Sequence, residues 1–240
     1  MHPYEQSLLA MPSLTMLDGP IPEPKLSRAE SALLIVDMQH YAADPQRGLG
    51  RRAQERGLGA EFSYYFAEVQ RIIPVIAALM RSCRAGGLEV IHVISQGRTA
   101  DGRDLSREYQ KRRVLTTRDA PDGDVLPEVS PAADEIVIPK VVAGGFTGTA
   151  LDATLRSMAV RNLILAGVAT NQCVESTVRE ASHLGYDVIL VEDGCATYRP
   201  EWQRFSLESM ADQFAVVRTA ADVIKNIETS NRDYTPVTGR

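Results

Sequence analysis

The sequence predicts one α/β domain built on a doubly wound, parallel sheet of about six strands. Two observations lead to this prediction. Short apolar segments alternate along the chain with longer segments in which apolar residues recur at helical spacing, a pattern typical of βαβ units with right-handed crossovers. The short apolar segments are also largely uninterrupted, which is expected of parallel strands that are covered by helices on both faces.

The first part of the chain contributes two predicted strands and one long helix. Residues 31–37 (SALLIVD) form a continuous apolar run and are predicted to be the first strand. A loop rich in glycine and arginine is expected from 40 to about 60, followed by a helix over 62–84. Pro74 predicts a kink in that helix or a later helix start. Residues 88–94 are the second predicted strand.

The rest of the chain repeats the alternation after one irregular segment. Residues 96–129 are polar and are expected to lack regular structure, apart from a short helix near 106–113. The predicted strands that follow are 134–138, 162–167, 187–191 and 214–217, and the predicted helices are 149–158, 171–184, 200–213 and 220–227.

The composition is ordinary for a globular protein. Of 240 residues, 44% are hydrophobic and 24% are charged, and the formal net charge is -5. These values predict neither a nucleic-acid nor a membrane partner, and no apolar run approaches the roughly 20 residues that span a bilayer. We expect an N-terminal arm over 1–30 without a signal-peptide pattern, one domain over 31–230, and a C-terminal tail over 231–240. Three widely spaced cysteines make a poor disulfide framework, so a reducing, cytoplasmic location is expected.

Three reactive side chains fall at the predicted carboxyl ends of strands, where ligands bind in such sheets. Asp37 ends the first strand, Lys140 follows the third, and Cys173 follows the fourth at a strand–turn–helix transition, 167–177 (GVATNQCVEST). Taken singly, each residue also has a structural explanation: a loop position for Asp37, a solvated side chain for Lys140 and a buried small side chain for Cys173. Together they are more specific, because a helix start and a lysine stabilise a thiolate while an aspartate accepts the thiol proton.

The other candidate ligands and nucleophiles fit a reactive role less well. Cys83 is placed within a predicted helix, and Cys195 follows the fifth predicted strand without a helix start directly after it. The four histidines form no metal-binding pattern, and no metal or other cofactor is predicted.

These segments resemble the isochorismatase-like cysteine hydrolases. The resemblance rests on 34–39 (LIVDMQ), on 139–155, on 167–177 and on 191–196 (VEDGCA). It implies a three-layer α/β/α fold with a six-stranded parallel sheet, and a catalytic triad at Asp37, Lys140 and Cys173. It further implies a cis peptide bond between Val168 and Ala169, and an oxyanion hole formed by the backbone amides of Ala169 and Cys173.

Departures from parts of the family narrow the expected activity. The metal-binding nicotinamidases carry an Asp-x-His pair that the loop over 40–60 lacks, and the isochorismatases proper lack the nucleophilic cysteine. Cys173 therefore favours hydrolysis of a C–N bond in a small amide, ureido or carbamoyl compound, and 169–177 is most similar to ureidoacrylate and carbamoyl amidases. An isochorismatase-type or nicotinamidase-type hydrolase, and a catalytically idle binding protein of the same fold, remain alternatives.

The substrate pocket is predicted from the loops at the same edge of the sheet. Gln39, His40, Phe146 and Arg98 are its candidate residues. Arginines cluster after the first and second strands. Because the guanidinium fork suits a carboxylate, one interpretation is that the substrate carries a carboxylate. Solvated loop charges or contacts between subunits explain these arginines equally well. A homo-oligomer, tetramer or dimer, is also expected from the resemblance.

Overall fold

The computed structural model describes residues 19–114 and 116–232. Its centre is a six-stranded, entirely parallel sheet with the strand order β3-β2-β1-β4-β5-β6, so the predicted fold class is confirmed. The chain order reverses between β1 and β4, which places a crevice at their carboxyl ends. The strands are β1 (Ser31–Val36), β2 (Glu89–Ser95), β3 (Ile136–Lys140), β4 (Asn162–Val168), β5 (Asp187–Ala196) and β6 (Val216–Arg218).

Helices cover both faces of this sheet. Alternate residues of β1 divide between two separate apolar clusters, Leu33 and Ile35 in one and Leu34 and Val36 in the other. The helices are α1 (His40–Ala43), α2 (Gly48–Glu55), α3 (Ser63–Gly86), α4 (Arg107–Arg112), α5 (Leu151–Ser157), α6 (Glu175–His183), α7 (Pro200–Met210) and α8 (Ala220–Arg232). The first cluster contains the buried faces of α3 and α8, and the second contains those of α5, α6 and α7.

The structure corrects three predictions about local structure. The expected loop over 40–60 contains the helices α1 and α2. Helix α3 continues through Pro74, which excludes a helix start after it. Pro74 lies on the exposed side, so the carbonyl that it leaves without an amide partner can bond to water. Strand β5 continues to Ala196, so Cys195 lies inside a strand and is fully buried.

The ends of the chain are described only in part. The predicted arm over 1–30 lies mostly outside the described residues; within it, the carbonyl of Lys25 accepts a hydrogen bond from Asn162 and Leu26 is buried. The predicted tail lies outside them beyond Arg232, where α8 ends. Among the described residues, no helix is both long enough and apolar enough to cross a membrane.

Gly167 allows the carboxyl ends of β1 and β4 to approach each other closely. It pairs with Val36 in the sheet and has a backbone φ of 127°, a value that residues other than glycine rarely adopt. A Cβ atom at this position would overlap the backbone oxygen of Val36. The close approach holds the residue that follows each strand, Asp37 and Ala169, at the same edge of the sheet.

Substitution of Gly167 tests this constraint. We expect Gly167→Ala to lower the free energy of unfolding by about 3 kcal/mol or more, because it adds a collision with β1 to an unfavourable φ. Gly148 is the matched control, since its φ is 73° but a Cβ added there would meet no atom within 4 Å. Gly148→Ala should cost only about 1 kcal/mol. Chemical denaturation measures both free energies of unfolding. If the two variants lose the same amount, the strands are not in close contact at Gly167.

Candidate active site

The three candidate side chains are positioned by the ends of three strands. Asp37 follows β1 directly, with a positive φ of 51° and its amide hydrogen-bonded to the carbonyl of Val93 at 2.9 Å. Lys140 is the last residue of β3. Cys173 lies in a π-helical turn, Thr170–Val174, which connects β4 to α6. The parallel sheet therefore brings the three residues together from distant parts of the sequence.

Lys140 lies between the other two. Its Nζ is 2.9 Å from Oδ2 of Asp37 and 3.4 Å from Sγ of Cys173, and its side chain is 0% exposed. Burial by itself lowers the pKa of Lys140, but the Asp37 carboxylate and Cys173 beside it hold that pKa above its ordinary value. Lys140 therefore stays charged, and its positive charge neutralises that of Asp37.

Three further oxygen atoms surround the ammonium group. Ser95 Oγ, Tyr109 Oη and the carbonyl of Val142 lie 2.8, 3.0 and 3.2 Å from Nζ of Lys140, respectively. Tyr109 Oη in turn donates to the Val142 carbonyl at 2.8 Å and lies 3.8 Å from Sγ of Cys173. A buried ammonium needs such acceptors, because its three N–H donors are costly to leave without partners.

Gln39 holds Ser95, one of these oxygen-bearing residues, through hydrogen bonds to its main chain. Its side-chain amide donates to the carbonyl of Ser95 at 3.1 Å and accepts from the Ser95 amide at 2.8 Å. It also donates to the carbonyl of Gly123 at 2.6 Å. Gln39 thus joins the segment after β1 to the end of β2, and holds Ser95 where it meets Lys140.

The surroundings of the Cys173 thiol favour its neutral form. Burial, followed by the negative charge of Asp37, raises its pKa from 9.0 to about 12, although Lys140 acts in the opposite direction. Lys140 therefore favours the thiolate as expected, but burial and Asp37 outweigh it, so the thiol needs a base. One Asp37 oxygen, Oδ1, is buried without a hydrogen-bond partner among the described residues, so it is available to accept a proton.

The thiol opens onto a cavity of about 630 Å³, within the range of small-molecule sites. Asp37, Gln39, Tyr109, Ala169 and Cys173 are among the residues that line it. The Val168–Ala169 peptide bond, which precedes the turn that carries the thiol, is cis. Cys173 is partly accessible, whereas Cys83 and Cys195 are fully buried.

Three of the four predicted pocket residues do not line this cavity. Phe146 is buried in the core, with its ring 5.6 Å from that of Tyr186. His40 Nδ1 pairs with Asp44 at 3.0 Å, and Arg98 is exposed on the loop after β2. The structure does not place these three residues at the cavity, because His40 pairs with Asp44, the Arg98 amide is held by Asp104, and Phe146 packs in the core. Gln39 is the one that does line the cavity.

Sequence reasoning missed Ser95 and Tyr109. Ser95 ends β2 at the sheet edge, so the rule that identified Asp37 and Lys140 also applied to it. Tyr109 lies in α4, within a polar segment whose sequence shows no periodicity that indicates which side chain points inward. No three His, Cys, Asp or Glu side chains of the described ranges, 19–114 and 116–232, are grouped so that they could hold a metal ion.

The contact between Tyr109 and the buried cluster gives a testable expectation. The hydroxyl of Tyr109 lowers the thiol pKa through its contact with Sγ of Cys173, so Tyr109→Phe should raise that pKa further. We expect alkylation of Cys173 by iodoacetamide to be slower by about three- to tenfold at a fixed alkaline pH. The measurement is the rate of alkylation against pH, followed by peptide mapping.

Tyr186→Phe is the matched control, because the Tyr186 hydroxyl bonds to Asp152 and Tyr186 does not line the cavity. Its alkylation profile should coincide with that of the unaltered protein. A Tyr109→Phe profile that also coincides would show that the Tyr109 hydroxyl does not act on the thiol.

Comparison with known proteins identifies the family to which the chain belongs. A family model described as the isochorismatase domain matches residues 31–222. Ureidoacrylate amidohydrolase RutB of Pseudomonas syringae pv. syringae is 31% identical over 222 residues, covering 84% of this chain and 85% of that protein. The same enzyme of Variovorax paradoxus is 30% identical over 225 residues, 85% of this chain and 84% of that one.

Solved structures have the same fold. The crystal structure of a cysteine hydrolase from Pseudomonas syringae pv. phaseolicola has a TM-score of 0.75 and 28% identity, and covers 88% of this chain and 98% of that chain. N-carbamoylsarcosine amidase from Thermoplasma acidophilum, with a TM-score of 0.61 and 23% identity over 80% of this chain and 96% of its own, shares the fold. The chain is therefore a hydrolase of the isochorismatase family.

Proposed function

We propose that this hydrolase is an amidohydrolase that cleaves a C–N bond of a small amide, ureido or carbamoyl compound, with Cys173 as nucleophile. The observation that carries the proposal is the position of Lys140, whose ammonium lies within hydrogen-bonding distance of both the Asp37 carboxylate and the Cys173 thiol. Asp37 and Cys173 line a cavity that admits a small molecule, and the buried Lys140 contacts both of them. The relatives named as amidohydrolases and cysteine hydrolases support the same class of reaction.

The first step is proton transfer from the thiol to Asp37. Because the thiol pKa is about 12, almost no thiolate is present at neutral pH, and a base is needed at the moment of attack. Asp37 is suited to this role because its Oδ1 is buried and without a hydrogen-bond partner in the described part of the chain. Lys140 then remains beside the new thiolate and stabilises its charge.

The thiolate next attacks the carbonyl carbon, forming an S–C bond while the carbonyl oxygen becomes an oxyanion. The backbone amides of Ala169 and Cys173, which both line the cavity, are the proposed donors to that oxyanion. Collapse breaks the C–N bond, and Asp37 returns its proton to the departing ammonia or amine. The enzyme is left as a thioester, or as a thiocarbamate when the carbonyl belongs to a ureido group.

Water completes the reaction. It attacks the acyl carbon, Asp37 accepts a proton from it, and the S–C bond breaks to release a carboxylic or carbamic acid. The proton held by Asp37 restores the Cys173 thiol. The net reaction is hydrolysis of one C–N bond by one water molecule, without any oxidant, reductant or other co-reactant.

A covalent intermediate on Cys173 is the most specific consequence of this proposal. We expect acid quenching during turnover of a panel of small amides, ureido acids and carbamoylated amines to leave an acyl or carbamoyl group on the peptide that contains Cys173. Cys173→Ala should lose the adduct and at least about 1,000-fold of the turnover rate, because no other group replaces the nucleophile. Ammonia or amine release measures turnover, and peptide mass spectrometry measures the adduct.

Cys83 supplies the control, because it is fully buried in α3 and does not line the cavity. Cys83→Ala should keep both turnover and the adduct. Retention of more than about a tenth of the rate by Cys173→Ala on the same substrate would refute the nucleophile assignment. If the protein hydrolyses the C–N bond but no adduct forms on Cys173, the covalent mechanism is refuted while the reaction class stands.

A further inference from the structure

Arg52 differs from the other charged residues of the cavity wall in having no oppositely charged partner among the described residues. It extends from α2, and its Nη1 donates to Tyr41 Oη at 2.8 Å and to the carbonyl of Arg113 at 2.9 Å. Its Nη2 donates to the carbonyl of Arg112 at 3.4 Å. All three acceptors are uncharged, so the half-buried guanidinium forms no ion pair with the described part of the chain.

The remaining charges on the wall are already balanced. Asp37 pairs with the buried Lys140. Arg112 pairs with Glu108, with Nε 3.1 Å from Oε1. Among the described residues that line the cavity, Arg52 therefore contributes the one positive charge that is not neutralised within the protein. A partly desolvated cation of this kind favours an anion in the cavity.

The geometry of α2 makes this charge a fixed feature of the wall. Helix α2 packs so closely on the preceding segment that a Cβ at Gly48 or Gly50 would overlap the backbone of Tyr41 or Pro45. Asp122 further ties the start of α2, accepting from the Gly48 amide at 3.1 Å. The guanidinium is thus held by a rigid helix and by the Tyr41 hydroxyl, while its Nε has no hydrogen-bond partner in the structure as described.

We propose that Arg52 selects substrates that carry a carboxylate, by binding that carboxylate while the amide or ureido carbonyl meets Cys173. This inference rests on the proposed function and specifies its substrate class. The guanidinium fork binds carboxylates through charge-assisted hydrogen bonds, which an ammonium or a hydroxyl does not reproduce. Arg52 belongs to the arginine cluster after the first strand, whereas Arg98, the arginine predicted to lie in the pocket, is exposed and does not line the cavity.

Matched substrate pairs test the assignment. N-carbamoylglycine and N-carbamoyl-β-alanine are each compared with the neutral carbamoylated amino alcohol of equal length. We expect the protein to prefer the acid, and Arg52→Met to lower kcat/KM for the acid by about 10- to 100-fold, mainly through KM. The kcat/KM for the neutral substrate should change by less than about threefold, since that substrate has no carboxylate to pair with the Arg52 charge. Arg52→Lys should recover part of the preference.

Arg98→Met is the control, because Arg98 is exposed and does not line the cavity. This variant should keep the preference for the acid. An equal loss on acid and neutral substrates in Arg52→Met would overturn the assignment and indicate a structural role. A preference of the unaltered protein for the neutral member would overturn it as well.

A second measurement does not depend on turnover. Levulinate carries a carboxylate and a ketone in place of the scissile group, and methyl levulinate is its neutral counterpart. Levulinate should protect Cys173 from alkylation more strongly than the ester does, and Arg52→Met should remove the difference. If protection depends on Arg52 but no C–N bond is cleaved, the proposed function fails while the carboxylate site stands. If both compounds protect equally, the carboxylate site fails.

Discussion

The ion pair between Lys140 and Asp37 is buried at the edge of the sheet, and the rest of the site is arranged around it. Two charges in this position are costly to desolvate unless each finds good partners. Ser95, Tyr109 and a main-chain carbonyl provide those partners for the ammonium, and the thiol of Cys173 completes the cluster. Each partner comes from a different segment, so satisfying one buried cation fixes the relative positions of several loops.

The same pair acts on the protonation state of Cys173, the proposed nucleophile. A lysine alone beside the thiol would favour a thiolate, but the Asp37 carboxylate cancels its charge and burial then raises the thiol pKa to about 12. Without substrate, the thiol is therefore favoured over the thiolate at neutral pH. In the proposed mechanism the proton moves to Asp37 only when a carbonyl is in position, which would limit side reactions of a cavity-facing cysteine with other electrophiles. An uncharged thiol next to an available carboxylate is the arrangement that general-base activation requires.

Much of this arrangement could be predicted from the sequence because parallel strands end at a common edge. The positions of Asp37, Lys140 and Cys173 after apolar segments were sufficient to place them near one another, and the alternation of elements predicted the sheet. The pocket could not be predicted in the same way. Part of its wall comes from α2 and α4, short helices held by contacts such as Gly48 against Tyr41 and Tyr109 against the buried lysine. Such contacts leave no periodic pattern in the sequence.

The thiol pKa was beyond sequence reasoning for a related reason. The position of Cys173 after a strand and before a helix indicates which charges are near it. Whether its pKa rises or falls depends on burial and on the distances to those charges, and here burial and Lys140 act in opposite directions. The wrong expectation for Phe146 has a similar origin, since an aromatic residue beside a glycine turn fits the core and the pocket equally well until the packing against Tyr186 is known.

The central claim is that Asp37 keeps the Cys173 thiol neutral and serves as its base. The most direct test is the thiolate absorbance of the protein against pH, with Cys173→Ser as the blank, repeated in Asp37→Asn. Removing the carboxylate leaves Lys140 as the dominant charge, so the pKa of Cys173 should fall in Asp37→Asn even as turnover is lost. Thermal unfolding establishes that the variant is folded. A thiol pKa that is unchanged or higher in the folded variant, or a thiolate already present at neutral pH in the unaltered protein, would contradict the account.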